Sequence, residues 1–265
     1  FRIVTGISTG ALIAPFAFLG SDYDARLRQA FTTVGPDDIY VLRIFTGLLR
    51  GDSLADNAPL LRLTEKYIDQ DMLTAIAREH RRGRRLYIGT TNLDVQRPVV
   101  WDMGAIAASG HKDALKLFRR VLVASASIPV AFPPQYVTVQ VLNERYDEMH
   151  VDGGVTAEVF IWGFGDALPA VVRRPATMPA APPAKPPIRV YVIRNAAIAP
   201  QYQAIAPRVI PIAARSIFTL INSQALGDIY RVYNIVHGAG MEFLLAYIPD
   251  DDKPISSEEF NKQEM

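Results

Sequence analysis

Five residues near the start of the chain constrain its fold more than any bulk property. Gly6-Ile7-Ser8-Thr9-Gly10 follows the β-like run Phe1-Arg2-Ile3-Val4-Thr5 and leads directly into an apolar, helix-forming segment, Thr9 to Leu19. A G-x-S-x-G sequence between a strand and a helix requires a sharp turn, and so a sheet against which the helix can fold back. Side chains at positions 6 and 10 are expected to crowd that turn. Glycine at both relieves the crowding and leaves the Ser8 hydroxyl projecting from the sheet edge. At a helix start the serine also meets unpaired N–H groups and the positive end of the helix dipole, and the Thr9 amide becomes a candidate oxyanion donor. The competing reading of the same residues is a glycine-rich turn with Ser8 as the N-cap of the next helix.

Downstream, β-like and helical segments alternate. The period-two and β-branched runs predict strands over Arg2 to Thr5, Arg85 to Thr91, Pro98 to Trp101, Gln135 to Leu142, Arg145 to Val151, Ile188 to Ile193 and Met241 to Ile248. Asn143-Glu144 is read as the turn of a hairpin. Helices are predicted over Thr9 to Leu19, Leu60 to Ile68, Met72 to His80, Lys112 to Val123 and Val209 to Val236. This alternation argues for an α/β layered domain, and the length suits one domain spanning residues 1–265. Residues 169–187 hold seven prolines, which suit neither a helix nor a central strand, and read as an extended surface loop.

Composition mainly removes possibilities. The chain has no cysteine, which excludes thiolate catalysis, disulfides and cysteine metal sites. Lys+Arg 28 against Asp+Glu 27 gives a net charge of +1, so the bulk charge calls for no nucleic-acid partner. The basic run Arg81-Arg82-Gly83-Arg84-Arg85 is expected to be a solvated turn. The strongest apolar run, Gly10 to Gly20, is shorter than the roughly 18 to 20 residues of a bilayer span, so no transmembrane segment is expected; the compartment stays open.

A serine nucleophile needs a proton acceptor. Of the four histidines, His80 and His111 read as solvated, and His150 belongs to a strand. His237, in a loop after the last long helix, is the candidate base of a Ser-acid-His arrangement. Asp152-Gly153-Gly154 offers another base. It follows the apolar end of a strand, and its two glycines permit a tight turn in which backbone N–H groups fix the carboxylate. With an ordinary pKa of about 3.9, Asp152 can serve as base only if burial raises that value.

Together these residues resemble the patatin-like phospholipase family. Gly6 to Gly10 resembles its nucleophile elbow and Asp152-Gly153-Gly154 its Asp-Gly-Gly/Ala motif. Ala124-Ser125-Ala126-Ser127-Ile128-Pro129 with Phe132-Pro133-Pro134 resembles the stretch before the acid. Weaker similarity runs through Leu86 to Asp94 and Trp101 to Ile106, so the resemblance spans roughly residues 1 to 260. It implies a layered domain with a mostly parallel central sheet flanked by helices. It also implies a Ser8–Asp152 dyad, with no metal, no cofactor and no essential histidine. The implied partners are lipid or other acyl esters, with peripheral membrane contact; oligomeric state is left open. Phe132 is the residue expected to line an acyl pocket.

The chain opens without an initiator methionine and ends in a capping box at Ser256 and Glu259, and is expected to be cut at both ends. The family's glycine-rich oxyanion loop, expected upstream of the elbow, has no counterpart in the given residues. Three readings result: an acyl hydrolase using Ser8 and Asp152, a Ser-acid-His esterase using His237, and a non-catalytic lipid-binding module of the same fold.

Overall fold

One strand, Arg85–Asn92, is buried over most of its length, and the main sheet is assembled on its two edges. The computed structural model describes residues 1–33, 41–42, 53, 55–161 and 188–249. In chain order the elements begin with β1 (Ile3–Gly6), α1 (Thr9–Leu19), α2 (Asp24–Thr32), β2 (Val41–Leu42), β3 (Ala55–Asp56), α3 (Ala58–Tyr67), α4 (Gln70–Arg81) and β4 (Arg85–Asn92). They continue with β5 (Arg97–Asp102), α5 (Met103–Ala108), α6 (Ala114–Ser125), β6 (Gln135–Val141), β7 (Glu144–Asp152), β8 (Arg189–Arg194), α7 (Val209–Gly238) and β9 (Glu242–Tyr247). Trp162, the proline-rich segment 169–187 and the C-terminal capping box lie outside the described residues.

β5 lies along one edge of β4, from Tyr87 to Asn92. The other edge is shared. β1 pairs in parallel with its first half, ending at Gly6 opposite Ile88. β7 pairs antiparallel with its second half, ending at Asp152 opposite Thr90. β6 then joins β7 as an antiparallel hairpin. The expected mostly parallel sheet is therefore corrected to a mixed one, with a single parallel pair. The reason is connection length: β4–β5 and β6–β7 are joined by short turns, which only antiparallel pairing permits, whereas β1 reaches β4 through a long helical crossover. The hairpin register places its turn at Leu142-Asn143, one residue earlier than predicted, with φ 48° and 71°. Positive φ at both central residues is the requirement of the twist-matched two-residue turn.

α1, α4 and α6 close the principal core over the sheet. Ala11, Ala14, Phe16, Phe18, Met72, Ile76, Leu86, Ile88, Phe118, Val121 and Leu122 form one buried cluster. Phe16 and Phe18 belong to it, so they serve packing. The basic run is only partly solvated: Arg84 donates to Phe1 O at 2.7 Å, Arg85 to His80 O at 3.1 Å, and Arg82 pairs with Glu79 at 2.7 Å.

β8 and β9 form a separate parallel pair joined by α7, and Val192, Ile229, Val232, Val236 and Met241 make its core. By length and composition alone α7 is long and apolar enough to cross a membrane, with a mean hydropathy of 1.3 over 18 residues. Counting uninterrupted apolar runs misses this helix, because Arg215, Ser216, Asn222 and Ser223 break the run.

The junction on β4 is packed backbone to backbone. A Cβ on Gly153 would stand 2.6 Å from the Gly89 carbonyl oxygen and 3.0 Å from Ile7 Cγ2. Neither neighbour is the free end of a flexible chain. Gly153→Ala is accordingly expected to destabilise the protein by about 1–3 kcal/mol, read as a lower urea midpoint with an unchanged slope; an unchanged midpoint would contradict this packing.

Candidate active site

β1 ends at Gly6, and the chain enters α1 through Ser8 at φ 54°, ψ −126°. A serine at positive φ stores on the order of 1–3 kcal/mol, so surrounding contacts must hold it. The Ser8 N–H donates to Ser125 Oγ at 3.1 Å, and Ser125 Oγ donates to the Gly89 carbonyl at 2.6 Å. The Ser8 carbonyl accepts from Ala11 N–H at 2.9 Å. Ser8 is the N-cap of α1 by position, as the competing reading has it, but its side chain makes no capping hydrogen bond to the helix, which leaves the hydroxyl uncommitted. The N–H groups of Thr9 and Gly10 donate to no described residue.

The glycines of the turn are not equivalent. A Cβ on Gly6 would stand 2.4 Å from the Gly10 carbonyl oxygen, whereas one on Gly10 meets nothing within 4 Å. The crowding expected at both positions falls on Gly6 alone, because α1 leaves the strand in a direction that points the Gly10 hydrogens outward.

Asp152 is 1% exposed. Its N–H donates to Ser127 O at 2.9 Å, and its Oδ1 accepts from Gly154 N–H at 2.8 Å. Oδ2 is buried without a hydrogen-bond partner. Burial pushes the carboxyl up to about 7; the Gly154 N–H and the Ser8 hydroxyl act in the opposite sense. Ser8 thus stands beside the carboxyl, near enough to influence its ionisation, without completing a hydrogen bond to either oxygen. The tail of α6 ties both groups: Ser125 holds the Ser8 amide and Ser127 the Asp152 amide.

The other candidates fall elsewhere. His237 lies in the last turn of α7, not in a loop, because the helix runs on to Gly238. It is exposed and stacks on Tyr233 with ring centroids 5.7 Å apart, and no hydrogen bond joins it to Ser8 or Asp152. His150 is fully buried, with its ring nitrogens 2.9 Å from Thr90 Oγ1 and 3.2 Å from Glu148 Oε2. His80, expected to be solvated, is half-buried against Gly104 and 3.6 Å from Asp102 Oδ1. Phe132 follows α6 in a half-buried turn closed by its N–H to Ile128 O at 2.9 Å. Among the described residues no group of three His, Cys, Asp or Glu side chains could hold a metal ion.

The structure adds residues that the sequence reading did not single out. Ser125 and Ser127 were legible only as part of a resembling stretch, with no physical role attached. Glu158, Arg194 and Asp228 carried no signal at all, since they are far apart in sequence and converge only through α7 and β8. Burial, with repulsion from Asp152 and Asp228, pushes Glu158 up to about 7, while Arg194 acts in the opposite sense.

A family model described as patatin-like phospholipase matches residues 1–164. The chain belongs to that family. The match holds the turn at Ser8, the α6 tail and Asp152, and ends before β8, so it is shorter than the resemblance read from the sequence. No curated protein gives a significant match. Membership in a patatin-like phospholipase family points to an α/β enzyme that hydrolyses lipid esters.

The buried carboxyls give stability a definite pH dependence. A carboxyl raised to about 7 holds its proton in the folded state over a range where the unfolded chain has released it. Stability contributed by the protonated form is present below the ordinary carboxylate pKa and is lost as pH rises toward 7. Asp152→Asn cannot ionise, so it should gain on the wild type by on the order of a few kcal/mol between pH 4 and pH 8. Urea unfolding at both pH values reads this, and parallel curves for the two proteins would contradict it.

Proposed function

We propose that this chain is a serine lipid acyl hydrolase in which Ser8 is the nucleophile and Asp152 the general base. The observation that carries the reading is the meeting of an uncommitted serine hydroxyl with a buried carboxyl raised to about 7, one of whose oxygens has no partner. An ordinary carboxylate is too weak a base for a serine hydroxyl, and burial narrows that gap.

In the proposed reaction the Ser8 proton passes to Asp152 Oδ2 as Oγ bonds to the ester carbonyl carbon. The carbonyl oxygen takes up negative charge and faces the Thr9 N–H at the start of α1, where the helix dipole favours an anion. Collapse breaks the bond to the alcohol oxygen, and Asp152 returns the proton to that leaving group. Asp152 then takes a proton from water as the water attacks acyl-Ser8, and gives it to Ser8 Oγ as the acyl–Oγ bond breaks and the fatty acid is released. Gly6 lets α1 fold back on the end of β1 and Gly153 lets the Asp152 turn pack on β4, Gly10 is an ordinary helical residue, and Gly154 supplies the N–H that orients the carboxylate.

The substrate proposed is a phospholipid, a lysophospholipid or another lipid ester, with Phe132 lining the acyl pocket and contact with a lipid surface during delivery. Residues 1–265 are proposed to act as one acyl hydrolase domain. His237 has no part in the reaction, since it is exposed and stacked on Tyr233 on the outside of α7.

Ser8→Ala and Asp152→Asn should each lower ester hydrolysis by at least about 10³-fold, and His237→Ala should leave it within about two-fold of the wild type. Hydrolysis of a vesicle phospholipid followed by fatty-acid release checks all three. Undiminished turnover in Ser8→Ala would overturn the assignment of the nucleophile, and loss of turnover in His237→Ala would return the histidine to the mechanism.

A further inference from the structure

Asp152 is not the only carboxyl at this junction. The point that a Cβ on Gly154 would occupy lies 2.2 Å from Glu158 Oε1 and 3.1 Å from Asp152 Oδ1. The two acids therefore confront each other across a bare Cα, and the N–H of the same glycine donates to Asp152 Oδ1. Glu158 is held there from behind. Its backbone N–H donates to Asp228 Oδ2 at 2.8 Å, and Asp228 is 1% exposed on α7, where Arg231 and Gln224 hold its Oδ1 at 3.1 and 3.3 Å. Gln224 also reaches Thr156 O at 3.3 Å, fixing the turn that leads to Glu158.

The charged groups facing Glu158 come from three elements. Asp152 ends β7, Arg194 ends β8, and Asp228 belongs to α7. Arg194 is itself buried, its guanidinium bonded to Ala197 O at 3.1 Å and Asn222 Oδ1 at 3.2 Å. The Glu158 carboxyl accepts no hydrogen bond from a described residue. Its position is thus set by packing on Gly154 and by the attraction of Arg194.

We propose that Glu158 is a positioning residue for Asp152, and that its charge across Gly154 sets how readily Asp152 takes and returns the serine proton. The inference rests on the Ser8–Asp152 reading above. Two carboxylates this close disfavour double ionisation and titrate as a pair. While Glu158 is ionised, a proton arriving on Asp152 relieves the repulsion, so the base is stronger. Removing the charge makes Asp152 a weaker base that ionises at lower pH.

Hydrolysis of a soluble short-chain nitrophenyl ester by the full-length protein, followed against pH, tests this without an interface. Glu158→Gln should move the acidic limb of kcat/KM down by about half to one pH unit and lower the plateau roughly three- to ten-fold, chiefly in kcat. Glu158→Asp, which restores the charge at shorter reach, should fall between. Gly154→Ala supplies a second variant should Glu158→Gln fail to fold, because its methyl displaces the flexible end of Glu158 and shifts the limb in the same direction. A folded Glu158→Gln or Gly154→Ala protein whose profile superimposes on the wild type overturns the proposal. Asp152→Asn separates the two levels: if it is silent while the Glu158→Gln curve superimposes, only the role of Glu158 is lost; if it hydrolyses normally, the dyad itself is lost.

Discussion

The site depends on two strands that approach each other end to end along one edge of β4. β1 stops opposite Ile88 and β7 stops opposite Thr90, so only Gly89 separates them. At a strand rise of about 3.3 Å per residue, the two ends are held roughly 7 Å apart. Ser8 lies just beyond one end and Asp152 is the other. β4 thus acts as a ruler, and it measures out the separation of the two residues of the proposed dyad. The α6 tail reads the same ruler from the side, since Ser125 bonds to the Gly89 carbonyl and the Ser8 amide while Ser127 takes the Asp152 amide.

This arrangement is costly. Ser8 occupies a positive φ, Asp152 is buried with an unpartnered oxygen, and Glu158 adds a second acid nearby. Each feature raises the free energy of the folded chain, and each persists only because the packed core leaves no alternative conformation. That core is supplied by α1, α4 and α6 on the sheet, with Ile88 and Leu86 of β4 wholly buried. Glycine at 6 lets α1 close on the end of β1 and glycine at 153 lets the Asp152 turn close on the Gly89 backbone, while Gly89 leaves room for the Ile7 and Phe160 side chains.

Much of this was legible from sequence. All seven strands read from alternation and β-branched runs lie within about one residue of their observed bounds, and the helix after Ser8 begins and ends where the apolar run predicts. Two helices escaped. Asp24–Thr32 turns only Leu27 and Ala30, both partly buried, toward the core, too short a stripe to read as a helix, and Met103–Ala108 is less than two turns long, set by the Asp102 side chain accepting from Ala105 N–H. The antiparallel direction of β6 and β7 was legible from their short turn, but the direction of β5 and β7 against β4 escaped, because alternation is the same for parallel and antiparallel neighbours. Ser8 and Asp152 could be named because their local motifs are distinctive. Glu158, Arg194 and Asp228 could not, because nothing in their neighbours announces a convergence made by α7 and β8 far along the chain.

The most direct test of the central claim is a crystal structure of the protein after reaction with a fluorophosphonate ester. The account predicts phosphorus bonded to Ser8 Oγ, a phosphonyl oxygen within hydrogen-bond distance of the Thr9 N–H, and the Asp152 carboxyl directly beside Ser8 Oγ. Phosphorus on another residue, or Ser8 modified but turned away from Asp152, would contradict it.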